Sequence, residues 1–220
     1  MKFKLPLILS LFALIACKDT QTASQDKEMA VMEPVEVAMV DGNKRAYFAS
    51  GCFWCVEAVF ESVEGVEAAV SGYSGGNEEE PTYQQVSYGK TSHAEAVEVQ
   101  YDPQVISFEQ LVRVFFGSQD PTTVNRQGPD RGAQYRSIAF YQNEEEKQII
   151  EKVKKELNET EYNGEIVTQV MPFQKFWEAE GYHQDYERKN PNDRYIQNVS
   201  VPRLNRFKVK FPELLKDNVH

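Results

Sequence analysis

The 220-residue chain is poor in the residues that build metal centres and disulfide scaffolds, with three cysteines, three histidines and two tryptophans. His93, His183 and His220 show no ligand spacing with the cysteines, and no second Cys-x-x-Cys exists. A structural zinc needs about four ligands, so no metal site is expected. Cations are scarce too: Lys and Arg number 24 against 34 Asp and Glu, a formal charge of -10, which argues against nucleic acid as a partner. The apolar run near the start, Leu5 to Ala16, is too short for a bilayer-crossing helix, which takes about 20 residues.

That run follows a basic start containing Lys2 and Lys4 and closes on Leu14-Ile15-Ala16-Cys17. A leader ending in small residues directly before a cysteine resembles a bacterial lipoprotein signal. Residues 1–16 would then be removed, and a lipid on Cys17 would hold the protein outside the cytoplasm at a bacterial membrane. An ordinary cleaved signal with an accidental cysteine is the alternative. From Cys17 to about residue 43 the chain is polar and acidic and reads as a flexible tether, although the valine-rich stretch 31–40 has strand character. The catalytic domain is expected over 44–220, a length sufficient for one substantial core.

Within the domain, Ala46 to Ala49 reads as a strand, and Cys52 to Val63 carries apolar residues at helical spacing. Val66 to Tyr73 and Ala94 to Tyr101 read as strands and Phe108 to Phe116 as a helix. A strand and helix follow over 135–157, then a strand over 165–171. The last forty-odd residues, rich in Tyr, Asn, Asp and Pro, suit long loops and short helices. This alternation, with a hairpin-like stretch over 66–101, fits a two-layer α+β sandwich better than a repeating doubly wound sheet.

Only Cys52 and Cys55 remain for chemistry within the domain. Cys52 sits at a helix start, where free N–H groups and the helix dipole favour an anion, so a thiolate is expected there. Cys55 lies one turn on, within reach for a strained, easily reduced disulfide. Phe53 and Trp54 between them suggest a pocket for an apolar group, with plain core packing as the alternative.

The segment Gly51-Cys52-Phe53-Trp54-Cys55-Val56-Glu57 resembles the A-type methionine sulfoxide reductases. The resemblance continues through Gly72-Tyr73-Ser74-Gly75-Gly76, Pro81-Thr82-Tyr83, His93-Ala94-Glu95-Ala96-Val97, the run from Asn125 to Ser137, and Tyr182-His183-Gln184-Asp185-Tyr186. These blocks fall in the family's order over about residues 46–195. The resemblance implies a mixed β-sheet with flanking helices on a ferredoxin-like core, and reduction of the S epimer of methionine sulfoxide, free or in oxidised proteins. It implies Cys52 as nucleophile, Phe53 and Trp54 around the substrate methyl, Tyr83, Glu95 and Tyr135 around the sulfoxide oxygen, and Asp130 ordering the pocket. It further implies no bound cofactor, a Cys52–Cys55 disulfide, and a thioredoxin-like dithiol protein as external reductant; a monomer is expected.

Without the family, Glu95 on an alternating strand would be a solvated residue, Tyr83 and Tyr135 framework tyrosines, and Asp130 a turn residue. The chemistry is nonetheless coherent: thiol attack on a sulfoxide sulfur needs a proton at the departing oxygen, which a carboxylic acid beside two phenols supplies. The chain departs from many members in having Cys55 where glycine is common, no cysteine near the C-terminus, Ser92 before His93 and Gly181 before Tyr182. A tethered thiol–disulfide exchanger and a non-enzymatic lipoprotein stapled by Cys52–Cys55 are the competing classes. Neither needs the Tyr83, Glu95 and Tyr135 blocks.

Overall fold

The computed structural model describes Met1 and residues 32–217. The expected leader, Cys17 and most of the tether lie outside the described residues. Strand β1 (Lys44–Ser50) leads into helix α1 (Phe53–Glu61), followed by β2 (Val66–Ser74), α2 (Tyr83–Ser87), β3 (Ala94–Tyr101) and α3 (Phe108–Gly117). A two-residue hairpin, β4 (Arg126–Gln127) and β5 (Asp130–Arg131), precedes β6 (Ser137–Tyr141) and α4 (Glu144–Thr160). The chain ends in β7 (Gln169–Pro172), β8 (Phe176–Glu178), α5 (Tyr186–Lys189) and α6 (Val201–Lys210).

Six strands form one sheet in the order β7-β6-β1-β3-β2-β8, antiparallel throughout except for the parallel β6–β7 pair. The central four, β6-β1-β3-β2, with α1 and α3 as crossovers, make the split βαβ arrangement of a ferredoxin-like core. The result is a mixed sheet with flanking helices, an α+β fold.

Alternation sorts the side chains of β1. Ala46 and Phe48 join the main core, with Phe48 stacked 5.2 Å from Phe60 of α1 and 5.1 Å from Phe115 of α3. Tyr47 and Ala49 face the other side, where Tyr47 stacks on Phe173 at 3.8 Å. With both faces covered, β1 reads as an almost unbroken buried run rather than an alternating one. Helix α3 starts where Ser107 and Gln110 close a reciprocal capping box, and α4 where the Asn143 side chain accepts the Glu146 N–H.

Three differences from the sequence expectation have identifiable causes. The strand expected over 165–171 begins only at Gln169, because the amides of Ile166 and Val167 donate to Asn158 Oδ1 and to the Pro121 carbonyl. The part of the expected tether from Met32 to Asn43 lies along the domain: the Val35 amide donates to the Phe173 carbonyl and the Val37 amide to Gln142 Oε1. Helix α6 is a full ten residues within the tail expected to hold short helices.

Candidate active site

The carboxyl end of β1 delivers the chain to the start of α1 through Ser50 and Gly51. Gly51 has φ of +88°, and a Cβ there would stand 2.5 Å from the Gln127 Cβ, so only glycine fits the turn. Cys52 follows as the residue before the first helical turn, 8% exposed, with Cys55 one turn on and 2% exposed; both are free thiols. Glu95 reaches this point from the centre of the sheet. It is 2% exposed, and its Oε2 accepts the Phe53 N–H at 3.1 Å. Burial pushes its carboxyl up to about 8, helped by Asp130 and Cys55 and opposed by the Phe53 amide. It is therefore a neutral acid at pH 7.

Two phenols feel the same charges. Tyr83 begins α2, fixed by the Thr82 cap and by its own N–H to Glu180 Oε1 at 2.9 Å. Burial, then Glu95 and Cys52, raise its hydroxyl to about 12. Tyr135 ends the short turn Ala133–Tyr135 and is shifted upward by burial, then by Glu95 and Cys52. Both tyrosines stay protonated and able to donate.

The aromatic residues after Cys52 are held from several elements. The Phe53 ring lies 5.9 Å from Tyr73, 6.3 Å from Tyr83 and 4.9 Å from His183. Trp54 stacks on Tyr186 at 3.7 Å, and its indole N–H donates to His183 Nδ1 at 3.2 Å. That bond fixes neutral His183 with its proton on Nε2, and burial lowers its basicity further. The rings thus form an apolar wall beside Cys52 on which a methyl group can rest.

Asp130 accepts the Tyr195 hydroxyl at 2.6 Å, and the same hydroxyl lies 3.7 Å from Cys55 Sγ. Arg203 of α6, 6% exposed, donates to the Ser118 carbonyl at 2.7 Å, the Ser50 carbonyl at 2.9 Å and Ser50 Oγ at 3.0 Å. It clamps the strand end immediately before the cysteines. The two thiols share their protons. Burial, then Cys55 and Glu95, push Cys52 well up, whereas the hydrogen bond from Cys52, with Arg203, Ser200 and Tyr195, pulls Cys55 to about 6. The two thiols are hydrogen-bonded to each other and titrate as a pair, in which burial works against the charge that the helix start favours at Cys52.

All eight domain residues singled out from the sequence, Cys52, Phe53, Trp54, Cys55, Tyr83, Glu95, Asp130 and Tyr135, take part in this one assembly; Cys17 lies outside the described residues. Sequence reasoning missed Tyr195, Arg203, Glu180 and the Trp54–His183 bond. His183 lay within a recognised block, while Tyr195 and Arg203 sit in the tail without a motif. Among the described residues no group of three or more His, Cys, Asp and Glu side chains is placed to hold a metal ion.

A neutral buried acid, two phenols and a thiol pair beside an apolar wall define a cysteine-based oxidoreductase acting on a small polar group attached to an apolar one. The pattern of the family described as "Peptide methionine sulfoxide reductase" matches residues 44–215, and the chain belongs to that family. It is 50% identical over 184 residues to "Peptide methionine sulfoxide reductase MsrA 1" of Rhodopirellula baltica, covering 84% of this chain and 95% of that one. It is 48% identical over 174 residues to "Peptide methionine sulfoxide reductase MsrA" of Pasteurella multocida, covering 79% and 99%. Among solved structures, the reduced form of Mxr1 from Saccharomyces cerevisiae aligns with a TM-score of 0.65 at 33% identity, covering 74% of this chain and 94% of that one. Methionine sulfoxide reductase A of Corynebacterium diphtheriae gives 0.63 at 33% identity, covering 73% and 83%. The protein is a peptide-methionine sulfoxide reductase of the MsrA type.

Proposed function

We propose that the protein reduces the S epimer of methionine sulfoxide, in proteins and free, through a Cys52 sulfenic acid and a Cys52–Cys55 disulfide recycled by a thioredoxin-like dithiol protein. The observation that carries this is Glu95, a buried acid raised to about 8 whose carboxylate oxygen touches the amide next to Cys52. With the substrate methyl against Phe53 and Trp54, the sulfoxide oxygen faces Glu95, Tyr83 and Tyr135. Cys52 Sγ, its proton lost to solvent, attacks the substrate sulfur while Glu95 gives its proton to the oxygen. The oxygen moves to Cys52, methionine leaves reduced by two electrons, and Cys52 becomes a sulfenic acid. Cys55 then attacks Cys52 Sγ, the S–O bond breaks, and hydroxide departs with the Cys55 proton as water. Asp130 orders the pocket by holding the Tyr195 hydroxyl.

The chain before the domain supports a place for this reaction. A leader over 1–16 and a lipidated Cys17 would put the enzyme outside the cytoplasm, anchored to a bacterial membrane, where it repairs envelope proteins after oxidation.

The test uses purified protein with each epimer of a blocked methionine sulfoxide and dithiothreitol. Wild type should reduce only the S form, and Cys52→Ser should reduce neither. With dithiothreitol left out, Cys55→Ser should complete one stoichiometric turnover and stop as a sulfenic acid. Reduction of the R form, or turnover by Cys52→Ser, would sink the proposal.

A further inference from the structure

Two recesses meet at α6 and the β4–β5 hairpin, next to the aromatic wall through Tyr195, whose ring lies 5.9 Å from Trp54. A cavity of about 360 Å³ is lined by Cys55, Asp130, Tyr195, Asn198, Arg203 and Arg206, among others, and reaches Cys55 but not Cys52, Phe53 or Trp54. A cleft of about 420 Å³ shares Gln127, Gly128, Arg203 and Arg206 with it and adds Arg126, Lys210 and one carboxylate, Asp120. The substrate wall and this recess therefore approach the thiol pair from different elements, the first from α2 and the loop carrying His183, the second from α6 and the β4–β5 hairpin.

The charge here runs against that of the chain, which carries -10 overall. None of Arg126, Arg131, Arg203 and Arg206 lies within ion-pair distance of a carboxylate among the described residues, where nine such pairs occur elsewhere or at Lys210. Arg126 and Arg131 stand opposite each other across the hairpin ladder, a like-charge pair that costs stability. The Arg126 Nε is buried with no acceptor. Arg131 and Arg206 are exposed. Arg126 and Arg206 line these recesses, and Arg131 is exposed on the same hairpin outside their lining; cations without a carboxylate partner beside a cavity ending on a redox thiol have an anionic, thiol-bearing visitor as their natural complement.

We infer that the face made by α6 and the β4–β5 hairpin is the docking site of an acidic dithiol protein, which enters over Arg131 and Arg206 and attacks the disulfide at Cys55. This rests on the proposed Cys52–Cys55 disulfide. The partner's thiolate bonds to Cys55 Sγ, the Cys52–Cys55 bond breaks, and Cys52 leaves as a thiolate that takes a proton from solvent, as does Glu95, which the sulfoxide step left ionised. The partner's second thiol, losing its proton to solvent, then attacks its own first sulfur and releases Cys55 as a thiolate. The partner ends oxidised by two electrons and the enzyme is reduced by two.

The experiment compares wild type with the double variant Arg131→Glu, Arg206→Glu, driven either by thioredoxin kept reduced by its reductase and NADPH or by dithiothreitol. The KM for thioredoxin should rise roughly tenfold in the variant and should rise with salt in wild type. The dithiothreitol-driven rate and the KM for methionine sulfoxide should not change, which also shows that the variant is folded. An unchanged KM for thioredoxin, or a rise in KM confined to an oxidised protein substrate, overturns the docking site. A thioredoxin whose second cysteine is replaced by serine should be trapped on Cys55, leaving Cys52 free to alkylate; trapping on Cys52 overturns the entry side. Thiol titration after one turnover without reductant separates the two levels: two thiols lost means the disulfide forms and only the docking site is at stake, whereas a sulfenic acid with Cys55 still free defeats both.

Discussion

At the scale of single residues, the chemistry depends on Glu95 being an acid in the physiological range. Its ordinary carboxyl would be ionised and unable to donate a proton, and burial in the sheet centre is what reverses this. Since the proton must be present when Cys52 attacks, kcat should fall as pH rises through about 8, with the acid limb flat down to neutral pH. Glu95→Gln keeps the shape and the bond from the Phe53 amide but has no proton to give. It should lower kcat by about 10²- to 10⁴-fold, leave KM for the sulfoxide within a few-fold, and abolish the fall near pH 8. Stopped-flow or steady-state pH profiles of the two proteins check this, and a variant retaining the wild-type profile would remove Glu95 from the role of acid. Such residues were legible in the sequence only where a motif stood over them. Cys52 and Cys55 could be argued from their spacing, and Phe53 and Trp54 only as a pocket or core packing, but Glu95 on an alternating strand could not, because nothing local says that both faces of that strand are covered. The thiolate expected at Cys52 illustrates the same limit: the helix start is visible in the sequence, the burial that opposes a charge there is not.

At the scale of elements, the strands and helices that carry the reaction were readable because each buries its own periodic pattern. The run Ala94 to Tyr101 matched β3 end to end, and the helix after Cys52 began one residue later than its apolar spacing implies, with Cys52 as its cap. The elements that escaped were those made by long-range partners: the two-residue hairpin β4–β5, the three-residue β8 at the sheet edge, and the seating of Met32 to Asn43 along the domain. Arg203 belongs with these. From α6 it reaches back 153 positions to Ser50, and its burial on a helix could not be foreseen from a tail rich in polar residues. It is what locks α6 against the end of β1 and the end of α3. Arg203→Leu would strip the donors from two buried carbonyls and one hydroxyl, costing about 2–4 kcal/mol of stability in urea unfolding, whereas Arg203→Lys should recover part of this. The leucine variant should also raise the pH at which Cys55 becomes a thiolate, followed by thiolate absorbance in a Cys52→Ser background. A stable Arg203→Leu protein with unaltered Cys55 titration would show that the clamp is dispensable.

At the scale of the whole molecule, the fold raises buried carboxyls toward neutrality, three of them furthest among the described residues. Glu95 is raised to about 8, and Glu57 and Glu146 each to about 7, in every case chiefly by burial. Glu57 links α1 to β2 and to the loop before α5 by accepting the Ser71 hydroxyl and the Asp185 amide, and Glu146 accepts the Gln142 amide at the start of α4. In the unfolded chain the same groups titrate near about 4.3, so between that pH and about 8 the folded protein binds more protons than the unfolded one. Stability supplied by these groups is complete below the unfolded value and is lost as pH rises through 7 and 8. The carboxyls that folding lowers instead, such as Glu109 and Asp185, lose their contribution only on acidification and leave this window untouched, whereas Cys55 and His183, also lowered, act inside it with the opposite sign and offset part of the loss. The melting temperature should therefore fall by roughly 5 °C or more between pH 5 and 9, opposite to a protein whose carboxylates are all paired. Glu146 lies far from the thiols in the fold, so Glu146→Gln isolates the effect: it should flatten the curve near pH 7 while leaving sulfoxide reduction intact. A wild-type melting temperature that instead climbs from pH 5 to 9 would mean that these carboxyls are ionised in the folded protein, and the acid assigned to Glu95 would lose its physical basis with them.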